Sequence, residues 1–281
     1  MAERKTDPVR GVLEVGGRKS QRIFHERFYA SPDLAPFIEH FWTVRWDLTG
    51  DPPQAVSTLP HPVVHFVMDS GNEAQVSGPT RARFQRELRD EGCVFAVKFR
   101  PGGFRPFLGG PVSALADRVL PACDVFGAEA SALAAAVWAA VTVEERIERT
   151  ESFLRERVAE PDPTVELVSR LVDEIAREPG ITKVQDVVSR AGVGMRSLQR
   201  IFSEYVGVSP KWVLQRYRLH EAADRLAKEG TDLATLALDL GYSDQAHFVR
   251  DFRLVVGETP GSYARKTRQT SDPRSREETE C

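Results

Sequence analysis

Residues 195–206 read Met195-Arg196-Ser197-Leu198-Gln199-Arg200-Ile201-Phe202-Ser203-Glu204-Tyr205-Val206, and the spacing of their apolar side chains decides the fold of the C-terminal third. Leu198, Ile201, Phe202 and Tyr205 stand at i, i+3, i+4 and i+7, the buried stripe of an amphipathic α-helix. With about 100° between successive residues, Arg196, Gln199, Arg200 and Ser203 fall on the opposite face. Guanidinium and amide groups in that position suit bidentate hydrogen bonds to guanine and adenine edges in a major groove. Upstream, Thr182 and Gln185 have the spacing of a capping box, and Val184, Val187, Val188 and Ala191 form a short inward stripe. Gly192-Val193-Gly194 supplies the tight turn, so the segment reads as a helix-turn-helix.

The pattern recurs downstream. Leu233, Leu236, Ala237 and Leu240 line a short helix, Gly241-Tyr242-Ser243 turns, and a second helix from about Asp244 buries Phe248, Phe252 and Val255. Ala246, Arg250 and Arg253 face outward, with Gln245 and His247 near the N-terminal end, which is the end of such a helix that reaches bases. Between the units, Ser209 has the chemistry of an N-cap, Pro210 fits the first helical position and Gly230 stands where a C-terminal cap belongs. A helix of roughly 20 residues spans about 30 Å, against about 34 Å for one turn of B-DNA. The expected arrangement sets two recognition helices into consecutive major-groove segments. Outward arginines on one amphipathic helix also describe an ordinary solvated face, and it is the repetition behind a glycine turn that separates the readings. His247 lies on the flank, as a phosphate contact or a helix cap, while Arg216 and Arg218 stabilise the domain or touch phosphates.

Several landmarks occur in order: Leu198-Gln199-Arg200-Ile201-Phe202, Gly207-Val208-Ser209-Pro210, Arg216 through Arg218-Leu219 to Ala222, Gly241-Tyr242 with Phe248 and Phe252, then Gly257-Glu258-Thr259-Pro260 and Tyr263. Together they resemble the AraC/XylS family of bacterial transcription regulators over roughly residues 180–266. The resemblance implies contacts to double-stranded DNA from Arg196, Ser197, Gln199 and Arg200 in the first recognition helix, and from Gln245, Ala246, His247 and Arg250 in the second. One departure is Gly194, where the family often has a capping serine; the cost is a few tenths of a kcal/mol, roughly. The AraC/XylS resemblance implies that the other domain senses a ligand, mediates dimerisation or both; the segment from Arg27 to Phe104 resembles an uncharacterised N-terminal domain carried by some of these regulators, which supplies no ligand.

The remainder fits a two-domain α+β protein. The chain has 281 residues and net charge −3. Residues 176–268 carry 15 Lys+Arg against 11 Asp+Glu, whereas the first 175 carry 21 against 26, so the balance permits nucleic-acid binding in the C-terminal third without proving it. Cys93, Cys123 and Cys281 have no metal-ligand spacing, no apolar signal core opens the chain, and Ala132 to Val143 is too short to span a bilayer. A soluble, reduced, cytoplasmic protein is expected. Trp42, Val44, Trp46 and Leu48 alternate with polar residues as in a half-buried strand, and Pro62–Met68 and Cys93–Phe99 are strand-like runs. We expect a strand-rich cupin-like or small β-barrel domain over 1–120 and a helical coupling or dimerisation segment over 121–179. A DNA-binding domain over 180–268 and a disordered tail over 269–281 complete the expectation. Within the helical segment, Asp124–Ala140 reads as an alanine-rich helix, Thr142 with Glu145 as a capping box, and Pro161-Asp162-Pro163 as a break.

Candidate ligand-binding residues in the N-terminal domain are Trp42, His61, His65, Arg100 and Arg105. Arg100-Pro101-Gly102-Gly103 reads either as an anion site or as a strand-ending turn. His61 and His65 would share one face of a strand, but no third ligand lies nearby and the clustered cupin metal pattern is absent, so no metal and no cofactor are implied. The leading expectation is a sequence-specific DNA-binding regulator, not an enzyme, with an asymmetric operator. A small-molecule effector, RNA polymerase and a second copy of the chain are its expected further partners. The alternative is a metal-dependent enzyme fused to a DNA-binding domain.

Overall fold

The computed structural model describes residues 3–4, 12–14, 22–158, 162–228 and 232–271. Its described strands are β1 (Val12–Glu14), β2 (Ile23–Phe28), β3 (Ile38–Asp47), β4 (Gln54–Thr58), β5 (His65–Asp69), β6 (Gln75–Ser77), β7 (Phe84–Leu88), β8 (Glu91–Phe99) and β9 (Val119–Pro121). They form a six-stranded antiparallel sheet in the order β2-β3-β8-β5-β6-β9 and a three-stranded sheet in the order β1-β4-β7. The cross-strand partners Phe41, Val97, Phe66 and Val76 share one face, which the period of two along each strand makes continuously apolar. Onto it pack α1 (Ala122–Phe126), α2 (Glu129–Ala139) and α3 (Val143–Arg155), through Phe126, Leu133, Val137, Ile147 and Phe153. On the other face Trp46, Val94 and Ala96 meet Leu48, Leu88 and Val56, the last two from the smaller sheet.

The strand-rich expectation therefore holds, but the barrel does not close. The six-stranded sheet keeps β2 and β9 as separate edges, because helices rather than further strands cover its larger apolar face. The alanine-rich run is two helices, broken where Gly127 takes φ +76°. Thr142 caps α3 by accepting from Glu145 N at 3.2 Å, and the Glu145 carboxylate answers at Val141 N, 2.9 Å.

Asp162 caps α4 (Pro163–Arg177), taking Thr164 N at 2.8 Å. Val168, Leu171, Val172 and Ile175 share a core with α5 (Val184–Ala191), α6 (Met195–Ile201) and the first half of α7 (Pro210–Leu226). Val165 of the same helix is buried in the N-terminal core, so α4 packs on both halves, and Pro179-Gly180 is a turn between helices that share a core. The second half of α7 shares another core with α8 (Leu233–Asp239), α9 (Gln245–Val256) and α10 (Pro260–Ser271), built on Leu219, Ala223, Leu236, Phe248 and Phe252. α7 is 17 residues long, about 26 Å; the expected cap Gly230 lies outside the described residues. Likewise α10 runs past the expected end at residue 268, and residues 272–281 of the expected tail lie outside the described residues.

Candidate nucleic-acid interface

The first helix-turn-helix is α5 and α6. Asp186, not Gln185, closes the start of α5, its carboxylate accepting from Lys183 N at 2.9 Å and Thr182 N at 3.3 Å. Gly192 turns with φ +66°, a left-handed conformation that favours glycine. α6 then starts from extended Gly194 with no side-chain cap. Leu198 and Phe202 are fully buried, which leaves Arg196, Ser197, Gln199 and Arg200 exposed, as the periodicity requires. The α-geometry does not continue to Val206. Residues Phe202–Val206 form a π-helical turn closed by Gly207 at φ +83°. Glu204 in that turn accepts from Arg105 of the N-terminal domain at 3.1 Å and stands 3.9 Å from Arg200. Tyr205 donates to Asp162 Oδ2 at 2.5 Å, tying the same turn to the start of α4.

In the second unit Asp244 caps α9, accepting from His247 N at 2.8 Å, and this hydrogen bond holds its carboxyl below the ordinary range. Gln245, Ala246 and Arg250 are exposed and, with Val249, line a shallow depression. His247 is half-buried on the flank, edge-on to Tyr242 at 5.2 Å and 3.6 Å from Asp251. Arg216 and Arg218 of α7 face inward. Arg216 is only 2 % exposed, donates to Arg81 O at 3.0 Å and lies over the Trp212 ring; burial pulls its pKa down to about 10. Arg218 donates to Thr182 O and lies over Tyr242. Both join parts of the protein, which favours the stabilising role over phosphate contact.

A family profile described as "Helix-turn-helix domain" matches residues 187–266, from within α5 into α10. The Probable transcription factor PqrA of Proteus vulgaris is 30% identical over 98 residues, 35% of this chain and 80% of that protein. The chain belongs to the AraC family of transcription regulators. Another member, the HTH-type transcriptional activator RhaS of Pectobacterium carotovorum, is 33% identical over 76 residues, 27% of either chain. Among solved structures, a transcriptional regulator of the AraC-type DNA-binding-domain class from Chromobacterium violaceum is 26% identical. It covers 40% of this chain and 95% of its own, with a TM-score of 0.32. Several of these relatives are matched over only about a quarter to a third of their length. The N-terminal part, residues 26–121, matches a domain of unknown function (DUF6597).

The ligand-binding candidates of that domain are not brought together as one set. Trp42 donates from Nε1 to His65 Nδ1 at 3.3 Å. His65, Lys98 and His40 are cross-strand partners in a row over β5, β8 and β3, and Lys98 pairs with Glu39 at 3.0 Å. Burial raises the Glu39 carboxyl, but Lys98 and His40 outweigh it and hold it well below the carboxylate range. His61 does not share a strand face with His65, because it lies before β5 between Pro60 and Pro62. It stacks edge-on against His220 of α7 at 4.8 Å. Burial, then Lys98, lowers the pKa of His61 well below the usual value and that of His65 to about 3. Arg100 donates to Ala35 O at 2.7 Å, and a Cβ on Gly103 would lie 2.2 Å from Phe37 O, the geometry of a strand-ending turn. Arg105 belongs to the contact with Glu204 described above. Periodicity could not reveal Glu204, Glu39, Lys98 or His220, because their placement depends on pairing between distant segments. Among the described residues no group of three or more His, Cys, Asp or Glu could hold a metal ion, and no helix is long and apolar enough to cross a membrane.

Proposed function

We propose that the chain regulates transcription by reading an asymmetric, bipartite operator, α6 and α9 each entering one major-groove segment. The observation that carries this is the pair of chemically different faces: exposed Arg196, Ser197, Gln199 and Arg200 on α6, and exposed Gln245, Ala246 and Arg250 with half-buried His247 at the flank on α9. The first offers two guanidiniums and an amide, while the second offers one of each around a small alanine. The role is regulatory rather than catalytic, in the cytoplasm. The N-terminal domain provides control through an effector or through a second copy of the chain, with RNA polymerase as the downstream partner. Support for control comes from the row of buried His40 and partly buried Lys98 and His65, and from the His61–His220 contact, which carry charged and titratable groups to α7. Of the candidate set, Trp42, His61 and His65 fit such a site; Arg100 and Arg105 fit structural roles.

Selection of bound duplex from a random pool yields the operator. Arg200→Ala and Arg250→Ala should each lose about 1–3 kcal/mol against it, concentrated at the base each residue reads. Parent-like binding by both variants would sink the assignment.

A further inference from the structure

The two helix-turn-helix units have separate hydrophobic cores that share α7. Between them run a Thr182–Gly241 contact, with the Thr182 methyl 3.3 Å from where a Gly241 Cβ would stand, and the Arg218 hydrogen bond to Thr182 O. The five residues Pro79-Thr80-Arg81-Ala82-Arg83 of the N-terminal domain cross both units and touch a different element at every second residue. Pro79 packs on Gly207, where a Cβ would lie 2.9 Å from its ring, at the end of the first recognition helix. Arg81 O accepts from Arg216 of α7 at 3.0 Å. Arg83 Nη1 donates to Val256 O at 2.7 Å and its guanidinium covers Gly257, at the end of the second recognition helix. The strap is anchored at its own domain: Arg81 is held by Asp117 at N and Nη1, and Arg83 leads directly into β7.

We propose that this strap sets the spacing of the two recognition helices, with Arg83 as the positioning residue for α9. This rests on the reading of α6 and α9 as the helices that enter DNA. A cation at the C-terminus of α9 meets carbonyls that have no partner within the helix, and the aligned dipole adds to the attraction. The strap holds C-terminal ends, whereas DNA takes N-terminal ends, so both can bind at once. Leu59, 1 % exposed in the second core, adds a further grip from the same domain.

The test uses the full chain and the duplex selected from a random pool, with one or two base pairs inserted between the half-sites. Parent protein should lose affinity steeply on insertion. Arg83→Ala should bind the native spacing about tenfold more weakly, the loss of one charge-assisted hydrogen bond, and should tolerate the inserted spacings better than parent relative to that value. Arg83→Lys, which keeps the cation, should retain the parental spacing profile. Should Arg83→Ala keep the full spacing penalty, whatever its overall affinity, the strap does not position α9. Arg250→Ala separates the two failures. Parent-like affinity there would remove α9 from the DNA, while lost affinity with an unchanged Arg83→Ala spacing profile would overturn the strap alone.

Discussion

Arg216 carries a positive charge into the contact between domains without a carboxylate beside it, and its Nε and Nη1 have no hydrogen-bond partner among the described residues. What it supplies is one hydrogen bond to Arg81 O and a stem packed beside Trp212. Arg216→Met keeps the packing and removes the desolvated charge, whereas Arg216→Ala leaves a cavity. Chemical denaturation should show alanine destabilising by about 2–3 kcal/mol and methionine by clearly less; equal losses would mean that the charge itself matters. His65 is a second residue whose setting governs its chemistry. With a folded pKa of about 3 against the ordinary 6.5, the unfolded chain binds the extra proton between those values. Its contribution is therefore intact above pH 6.5 and is lost as pH falls toward 3. At pH 5.5 parent should have lost about 1 kcal/mol through this residue relative to pH 7.5. His65→Gln, measured by denaturation at both values, should show a shallower dependence. At this scale Gln199 and Arg200 were legible because exposure follows helical period, whereas the prolines beside His61 defeated a reading that assumed a strand.

Elements show where local chemistry suffices and where it does not. The expected caps Thr142 and Ser209 accept backbone hydrogen bonds from Glu145 and Trp212, and Asp162, expected only as part of a break, caps α4 through Thr164. Gly194 is the exception: it starts α6 in extended conformation, and a Cβ there would meet nothing within 4 Å. Gly194→Ser should therefore stabilise the fold by a few tenths of a kcal/mol, roughly, with operator affinity unchanged. A thermal scan showing destabilisation would mean the backbone there resists the serine cap. The π-helical turn at Phe202–Val206 was not legible, because the apolar spacing of the segment suits an α-helix throughout. Its position makes sense only with the N-terminal domain present, since Ser203 and Glu204 there meet Ser113 and Arg105.

For the whole molecule, the sequence conveyed two helix-turn-helix units and a strand-rich partner, since both rest on short-range periodicity. It did not convey that α4 packs on both halves. A Pro-Gly pair ends a helix equally well within a domain and between two, and only the cores that Val165 and Val168 join show what the helix packs on. Closure of the sheet was equally hidden, as it depends on which strands pair across long intervals. The interface between the domains gives the architecture its functional sense, for the N-terminal domain touches the C-terminal end of α9 at Val256 and the turn after α6 at Glu204, beside Arg200. The measurement that tests this account most directly is a base-by-base affinity profile of the selected operator for parent, Arg200→Ala and Arg250→Ala. Two recognition helices predict that each variant relaxes discrimination in a different half of the site, leaving the other half as parent reads it. Relaxation by both variants at the same positions, or at none, would contradict the bipartite reading.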